Sequence, residues 1–168
     1  MTKEEEAVRN YCIRVHDVAP CMHEEADTRI FVHVRHATEE DSKVITVKAS
    51  DRDVLVIAVS VLPILQKIGL LQLWIAFGHG RNLRWIKVHD LYLSIAPQKS
   101  RGLLFFHAFT GCDVVSIFRG KGKKTAWQTC DVCDEASDIF IKLSQYPAKF
   151  DLTDLTILER FVVVMHDR

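Results

Sequence analysis

The sequence has no surplus of charge of either sign, no long hydrophobic run and no disulfide framework. Lysine and arginine number 22, and so do aspartate and glutamate, so no global charge predicts nucleic-acid binding and any basic footprint has to be local. The longest apolar run, residues 54–65, is shorter than the roughly 20 residues that cross a bilayer, so we expect no membrane partner. Five cysteines, an odd number without framework spacing, predict a reducing, intracellular compartment, the nucleus included.

What is present is the composition of a folded domain. Apolar residues make up 48% of the 168 residues and charged residues 26%, which is the balance of a globular protein rather than a disordered one. This length predicts one domain, or part of one, with a substantial core.

Apolar strands alternate with helical segments along the chain. "KVITV" (43–47) and "LQLWIAF" (71–77) are typical of buried strands, and "LRWIKV" (83–88) of a half-exposed one. The run after Asp53 fits either a strand or a helix, and its length favours a buried helix ending at Gly69. Further expected elements are a strand at 11–15, helices at 24–37 and 100–111, a helix capped by Asp90, and a last helix capped by Asp151 or Asp154.

This alternation predicts an α/β fold of three layers, with a mostly parallel central sheet flanked by helices. Such sheets place their ligand sites beyond the carboxyl ends of the strands. Asp51 and Asp53 directly follow "KVITV" and are expected at that position.

Three acidic clusters follow or begin predicted elements: "HEEAD" (23–27), "SDRD" (50–53) and "TGCD" (110–113). Each cluster alone is typical of a helix N-terminus, where carboxylates are favoured. Together they offer the oxygen ligands that hard divalent cations take. Two such cations about 4 Å apart can clamp the attacking and leaving oxygens of a phosphodiester.

The order of these clusters, followed by "SIFRGKGKKTA" (116–126), resembles the catalytic core of the flap-endonuclease and XPG-type nucleases of the PIN-like superfamily. The last segment keeps the family spacing of a helix–two-turn–helix, which here covers about residues 111–130. The positions that match are Ser116, Ile117, Gly120, Gly122 and Ala126.

The resemblance implies hydrolysis of phosphodiesters in structured or single-stranded DNA or RNA, with Mg²⁺ or Mn²⁺ as cofactor and Asp51, Asp53 and Asp113 as catalytic residues. It implies metal ligands at Glu25, Asp27, Asp51, Asp53 and Asp113. Because residues three apart on a helix share a face and residues two apart do not, Glu24 with Asp27 is an alternative pair.

The resemblance also implies that the turn grips a nucleic-acid backbone and binds K⁺ at residues 116–122. Glycines let backbone N–H groups approach a phosphate, and the lysines and arginine supply local positive charge. The expected nucleic-acid-binding residues are Ser116, Arg119, Gly120, Lys121, Gly122, Lys123 and Lys124.

The chain departs from the family before "HEEAD", because it shows neither the early strand that carries an aspartate ligand nor the basic helical arch. We therefore expect residues 1–168 to form a single PIN-like domain or the C-terminal portion of one, with a sheet incomplete at its N-terminus. The alternative function is a catalytically inactive module that binds nucleic acid or protein. The phrase "HEEADTR…HAFTGCD…GKGKKTAW" also resembles uncharacterised animal proteins linked to mobile elements.

Other motifs are interpreted as structural. Cys130 and Cys133 are expected to be ordinary reduced cysteines, and Cys112 a small buried residue. The histidines at positions 33, 36 and 107 are expected in the core or at its boundary. "GHGRN" (78–82) is too short for a dinucleotide-binding loop, so no dinucleotide cofactor is expected.

Overall fold

The computed structural model describes residues 26–95, 97–112 and 115–167. These residues form eight α-helices and a three-stranded sheet, which confirms an α/β fold. The strand expected at 11–15 lies outside the described residues. In chain order the elements are α1 (Ala26–Glu39), β1 (Val44–Ala49), α2 (Arg52–Lys67), β2 (Gln72–Phe77), β3 (Arg84–Lys87), α3 (Val88–Ser94), α4 (Pro97–Arg101), α5 (Leu103–Phe109), α6 (Lys123–Cys130), α7 (Asp134–Gln145) and α8 (Leu152–His166). Short 3₁₀ turns lie at Gly80–Asn82 and Pro147–Lys149.

The sheet has the order β1-β2-β3 and is mixed. β1 and β2 pair in parallel through the crossover helix α2, with Val47 opposite Ile75. β3 pairs antiparallel with β2, because the connection between these strands is too short for the crossover that a parallel neighbour needs. A mostly parallel sheet is therefore not observed in the described part of the chain, and the three-layer arrangement stays a prediction.

The apolar run after Asp53 is a helix, as predicted. Its buried residues Val54, Ala58 and Leu62 recur every fourth position, so they share the face that meets the core. Pro63 lies inside α2 and costs it one backbone donor, which the burial of this apolar face offsets. The helix ends at Lys67, and Gly69 follows with a φ of 112°, a conformation that glycine adopts without strain.

The helix predicted at 100–111 is interrupted at Gly102, between α4 and α5. A Cβ at Gly102 would lie 2.9 Å from Cβ of Phe140, so the glycine lets α7 pack closely at this break. The segment ends before Gly111, as predicted, where a φ of 97° stops the helix.

The two predicted helix caps have different outcomes. Asp90 is not the N-cap of α3; Lys87 occupies that position, and Asp90 lies in the first turn. Asp151 is the N-cap of α8, as predicted. It accepts backbone hydrogen bonds from Thr153 and Asp154, and the Asp154 side chain accepts one from the Asp151 backbone.

One hydrophobic core joins the sheet to the helices. Its aromatic part links α5, α7 and α8 around Phe140, whose ring centroid lies 5.3 Å from that of Phe161 in an edge-to-face arrangement. The rings of Phe105, Phe106 and Phe109 on α5 also contact Phe140. This packing holds α5 in place against the first turn of α2, where the candidate site lies.

Candidate active site

The turn between β1 and α2 carries the two aspartates predicted at a strand end. Asp51 has an extended backbone conformation and is the N-cap of α2, where its Oδ1 accepts the backbone N–H of Asp53 at 2.9 Å. The structural interpretation of Asp51 as a cap is therefore confirmed. A cap uses only one carboxylate oxygen, so this role is compatible with ligand binding by the other.

Asp53 and His107 link the first turn of α2 to α5. Asp53 Oδ1 lies 2.8 Å from His107 Nε2, and because an ionised carboxylate only accepts, the imidazole donates from that nitrogen. The side chains are 30% and 16% exposed, so the contact is partly shielded from water, which strengthens a hydrogen bond to a charged group. His107 thereby fixes the orientation of the Asp53 carboxylate.

Lys123, the first residue of α6, joins the same group of side chains. Its Nζ donates to the backbone oxygen of His107 at 2.7 Å and to Thr110 Oγ1 at 3.0 Å. Burial lowers the pKa of Lys123 below its usual value, while nearby Cys112 and Asp53 act in the opposite direction. Since an ammonium group has three N–H donors, one remains for an anionic ligand.

These side chains line an open cleft of about 460 Å³ at the carboxyl end of β1. The position follows the general rule for ligand sites in α/β sheets. The cleft has carboxylates on the α2 side and an ammonium group on the α6 side, so it offers partners for a cation and for an anion together. Its lining residues are Ser50, Asp51, Arg52, Asp53, His107, Gly111, Cys112, Ile117 and Lys123.

One of two interpretations of single residues is corrected here. His107 is partly buried at the boundary of the core, as predicted, and its imidazole lines the cleft and binds Asp53. Cys112 is partly exposed and lines the cleft, rather than being a small buried residue. One signal in the sequence could have found this face: His107 and Thr110 are three residues apart on one helix, directly before a glycine, and so point the same way.

The other predicted ligands are only partly visible. Asp27 lies half-buried in the first turn of α1, while Glu24, Glu25 and Asp113 fall outside the described residues. Within residues 26–95, 97–112 and 115–167, no three His, Cys, Asp or Glu side chains form a group that could hold a metal ion. The structure thus brings Asp51 and Asp53 together, and the complete ligand set stays a prediction.

The predicted nucleic-acid-binding segment forms the loop between α5 and α6 and the start of α6. Arg119 and Gly120 form a turn, and Gly122 is the N-cap of α6. A Cβ at Gly120 or Gly122 would meet nothing within 4 Å, so both backbones border open space. Lys123 lines the cleft; Ser116, Arg119 and Lys124 are exposed and Lys121 is partly buried.

Comparison with family models, curated proteins and solved structures gives no match for this chain. No helix among the described residues is long and apolar enough to cross a membrane.

Proposed function

We propose that the chain is a nuclease-like domain that hydrolyses phosphodiesters in structured or single-stranded nucleic acid with Mg²⁺ or Mn²⁺. The observation that carries this proposal is that Asp51, Asp53 and Lys123 line one cleft at the carboxyl end of β1. A phosphodiester bound beside metal ions needs both carboxylates for the ions and a cationic donor for the phosphate. The cleft offers both within the described residues.

The chemistry of the donor set fits a hard divalent cation in part. Asp51 and Asp53 each use one oxygen in a hydrogen bond, and no described residue bonds to the other oxygen. Asp113 directly follows Cys112, which lines the cleft, and would add a third carboxylate; Glu25 with Asp27, or Glu24 with Asp27, would complete the set. When bound, the cations supply Lewis acidity to the phosphodiester.

The basic residues beside the cleft are proposed to bind the phosphate backbone of the nucleic acid. Lys123 would bind a phosphate oxygen with its remaining donor, while Arg119, Lys121 and Lys124 would follow the backbone. The open space beside Gly120 and Gly122 supports close approach of a phosphate, with K⁺ bound at residues 116–122 and Ser116 next to it.

We infer a three-layer PIN-like domain of the flap-endonuclease type, or the C-terminal portion of one, that acts inside the cell, the nucleus included. The link to mobile elements rests on the sequence resemblance alone.

Asparagine substitution tests the metal-dependent reaction. Asp51→Asn removes the charge but keeps the side-chain oxygen that caps α2, because asparagine is as good an N-cap as aspartate. We expect cleavage of labelled flap and single-stranded DNA and RNA with Mn²⁺ to be lost in Asp51→Asn and Asp53→Asn. Asp151→Asn, at the N-cap of α8, is the matched control and should keep full activity. An active Asp51→Asn variant with unchanged metal dependence would contradict the proposal.

A second candidate function is a binding module without catalysis. It is favoured by one observation: Asp53 already uses one of its two carboxylate oxygens in a hydrogen bond to His107. In this case wild-type protein shows no cleavage but binds nucleic acid in EDTA, with an affinity that falls as salt rises. Lys123→Ala with Lys124→Ala should weaken this binding, whereas Lys48→Ala with Lys67→Ala, at exposed positions, should not.

A further inference from the structure

A second cavity of about 360 Å³ adjoins the acidic cleft, between α2, α3, α5 and α6. Its walls are mostly apolar, and three basic or imidazole side chains stand among them. The lining residues are Leu55, Val56, Val59, Leu91, Ile95, Leu103, Phe106, His107, Lys123, Lys124 and Trp127. We refer to this cavity as the apolar groove.

The apolar groove and the cleft share two residues, His107 and Lys123. These two residues are joined by a hydrogen bond, which Lys123 Nζ donates to the His107 backbone oxygen. The ammonium group therefore borders both cavities. A ligand with its anionic part at Lys123 can extend an apolar part into the groove without leaving the protein surface.

The groove is large enough for a flat ring system and is chemically suited to one. Its volume falls near the lower end of the roughly 300–1,000 Å³ typical of small-ligand pockets. Trp127 is partly exposed and contributes aromatic surface; the nearly buried Phe106 packs edge-to-face against it at a centroid distance of 5.2 Å, and Lys99 Nζ lies 4.7 Å from the Trp127 ring centroid. Lys124, exposed at the start of α6, adds positive charge at the rim. An apolar peptide side chain would use the walls but would leave the third N–H donor of Lys123 and the charge of Lys124 unused.

We propose that the apolar groove binds an unpaired nucleobase whose own phosphate lies at Lys123. This inference rests on the proposed function and narrows its substrate class, because a base can enter the groove only where it is free of a complementary strand. Sequence-tolerant stacking on aromatic side chains next to a basic backbone track is a common way to bind single strands. The nucleotide beside the cleft is then single-stranded or displaced from a duplex.

Binding in EDTA tests the groove apart from any cleavage. Fluorescence anisotropy compares oligothymidylate with an abasic oligomer of the same length, so that the phosphate charge is equal and only the bases differ. We expect the wild-type protein to bind oligothymidylate about fivefold to hundredfold more tightly, the range expected from stacking of a base on an aromatic wall.

Two variants on the same helix localise this preference. Leu91→Trp fills the groove, whereas Leu93→Trp adds the same bulk at a position that is 78% exposed and outside it. We expect Leu91→Trp to remove the preference for bases and Leu93→Trp to keep it. Leu55→Trp fills the groove from α2 and should repeat the effect, and circular dichroism melting verifies that each variant is folded.

Several outcomes overturn the inference. Equal binding of both oligomers by wild-type protein, or a base preference that survives in Leu91→Trp and Leu55→Trp, shows that bases do not use the groove. Displacement of the oligomer by N-acetyltryptophanamide but not by thymidine monophosphate identifies a protein side chain as the occupant. Metal-dependent cleavage without base preference removes only this inference, while base-dependent binding without cleavage removes only the nuclease proposal.

Discussion

Gly111 shapes the wall of the cleft through its backbone. Its φ is 97°, and a Cβ there would overlap the Ile117 side chain and lie 2.9 Å from Ile117 Cα. We expect Gly111→Ala to lower the free energy of unfolding by more than the roughly 1–2 kcal/mol that a left-handed alanine costs, because the clash adds to it. Chemical denaturation measures this loss.

Gly122→Ala is the matched control for this prediction. Gly122 has a φ of −91°, and a Cβ there would meet nothing within 4 Å, so this variant should lose at most the roughly 1 kcal/mol by which alanine is a poorer N-cap than glycine. Equal losses in both variants would mean that the clash with Ile117 is relieved by movement of the loop.

Asp51 has a structural role that can be separated from its charge. Replacing an N-cap aspartate by alanine costs about 1 kcal/mol, whereas asparagine keeps the accepting oxygen. We therefore expect Asp51→Ala to lower the free energy of unfolding by about that amount, and Asp51→Asn by much less. If both variants lose the same stability in urea titrations, the negative charge rather than the capping oxygen stabilises α2.

At the scale of single residues, the sequence predicts where a residue lies within a helix or strand better than it predicts which distant residues it contacts. "SDRD" next to an apolar helix was enough to predict the Asp51 cap, because capping is a local rule. The contact between Asp53 and His107 joins residues far apart in the chain, and no local pattern reveals which face of α5 turns towards α2. Lys123 was predicted as a nucleic-acid contact, but its bonds to α5 depend on the path of the loop.

At the scale of elements, α8 is anchored at its N-terminus by Lys142 of α7. Lys142 Nζ lies 2.8 Å from Asp151 Oδ2 and bonds to both oxygens of Asp154, which is only 2% exposed. Hydrogen bonding to Lys142 and to the Asp154 backbone lowers the pKa of Asp151 below 3.8. The hydrogen bonds to Asp151, and to a smaller extent those to Asp154, raise the pKa of Lys142 above 10.5.

These shifts define a pH window for the contact. A depressed carboxyl pKa gives stability that is present above 3.8 and is lost as the pH falls through the folded value. A raised amine pKa gives stability that is present below 10.5 and is lost as the pH rises through the folded value. We expect Lys142→Met to reduce the melting temperature at neutral pH, with a difference from wild type that shrinks well below pH 3.8. A difference that is independent of pH would assign the effect to packing.

Helices were predicted with good boundaries where a long apolar face or a strong cap was present. The length of the apolar run after Asp53 correctly predicts a helix, although the valines in this run favour a strand. Two failures have tertiary causes. α3 begins directly after β3 because Val88, fully buried, continues the packing of that strand, and this moves the helix start before Asp90. The break at Gly102 follows from the approach of α7.

At the scale of the whole molecule, the ring cluster around Phe140 holds the C-terminal helices on α5. Phe161 is completely buried there, so Phe161→Ala should lower the free energy of unfolding by about 3–5 kcal/mol. Val163→Ala, on the same helix at a position that is 58% exposed, should change it by less than about 0.5 kcal/mol. If Phe161→Ala and Val163→Ala have the same melting temperature, α8 is not part of the cooperative core.

The α/β class could be predicted because apolar strands and helices alternate along the chain. Strand direction could not be read in the same way. Both "LQLWIAF" and "LRWIKV" are typical of strands, but the apolar pattern of a strand carries no information on its direction. The short turn between them makes β3 antiparallel. The position of Asp51 and Asp53 at the end of β1 was correct since it depends on chain order and not on the neighbouring strand.

The ring cluster also has a consequence for synthesis on the ribosome. Phe109 and Phe140 are made well before Phe161, so their rings lack the partner that α8 supplies until that helix has left the exit tunnel. Apolar surface left open on a nascent chain is where chaperones bind and where aggregation begins. Emergence of α8 from the tunnel is therefore the step that closes this part of the core, and a nascent chain that stalls after α7 has emerged but before α8 has done so stays open to chaperones and to aggregation.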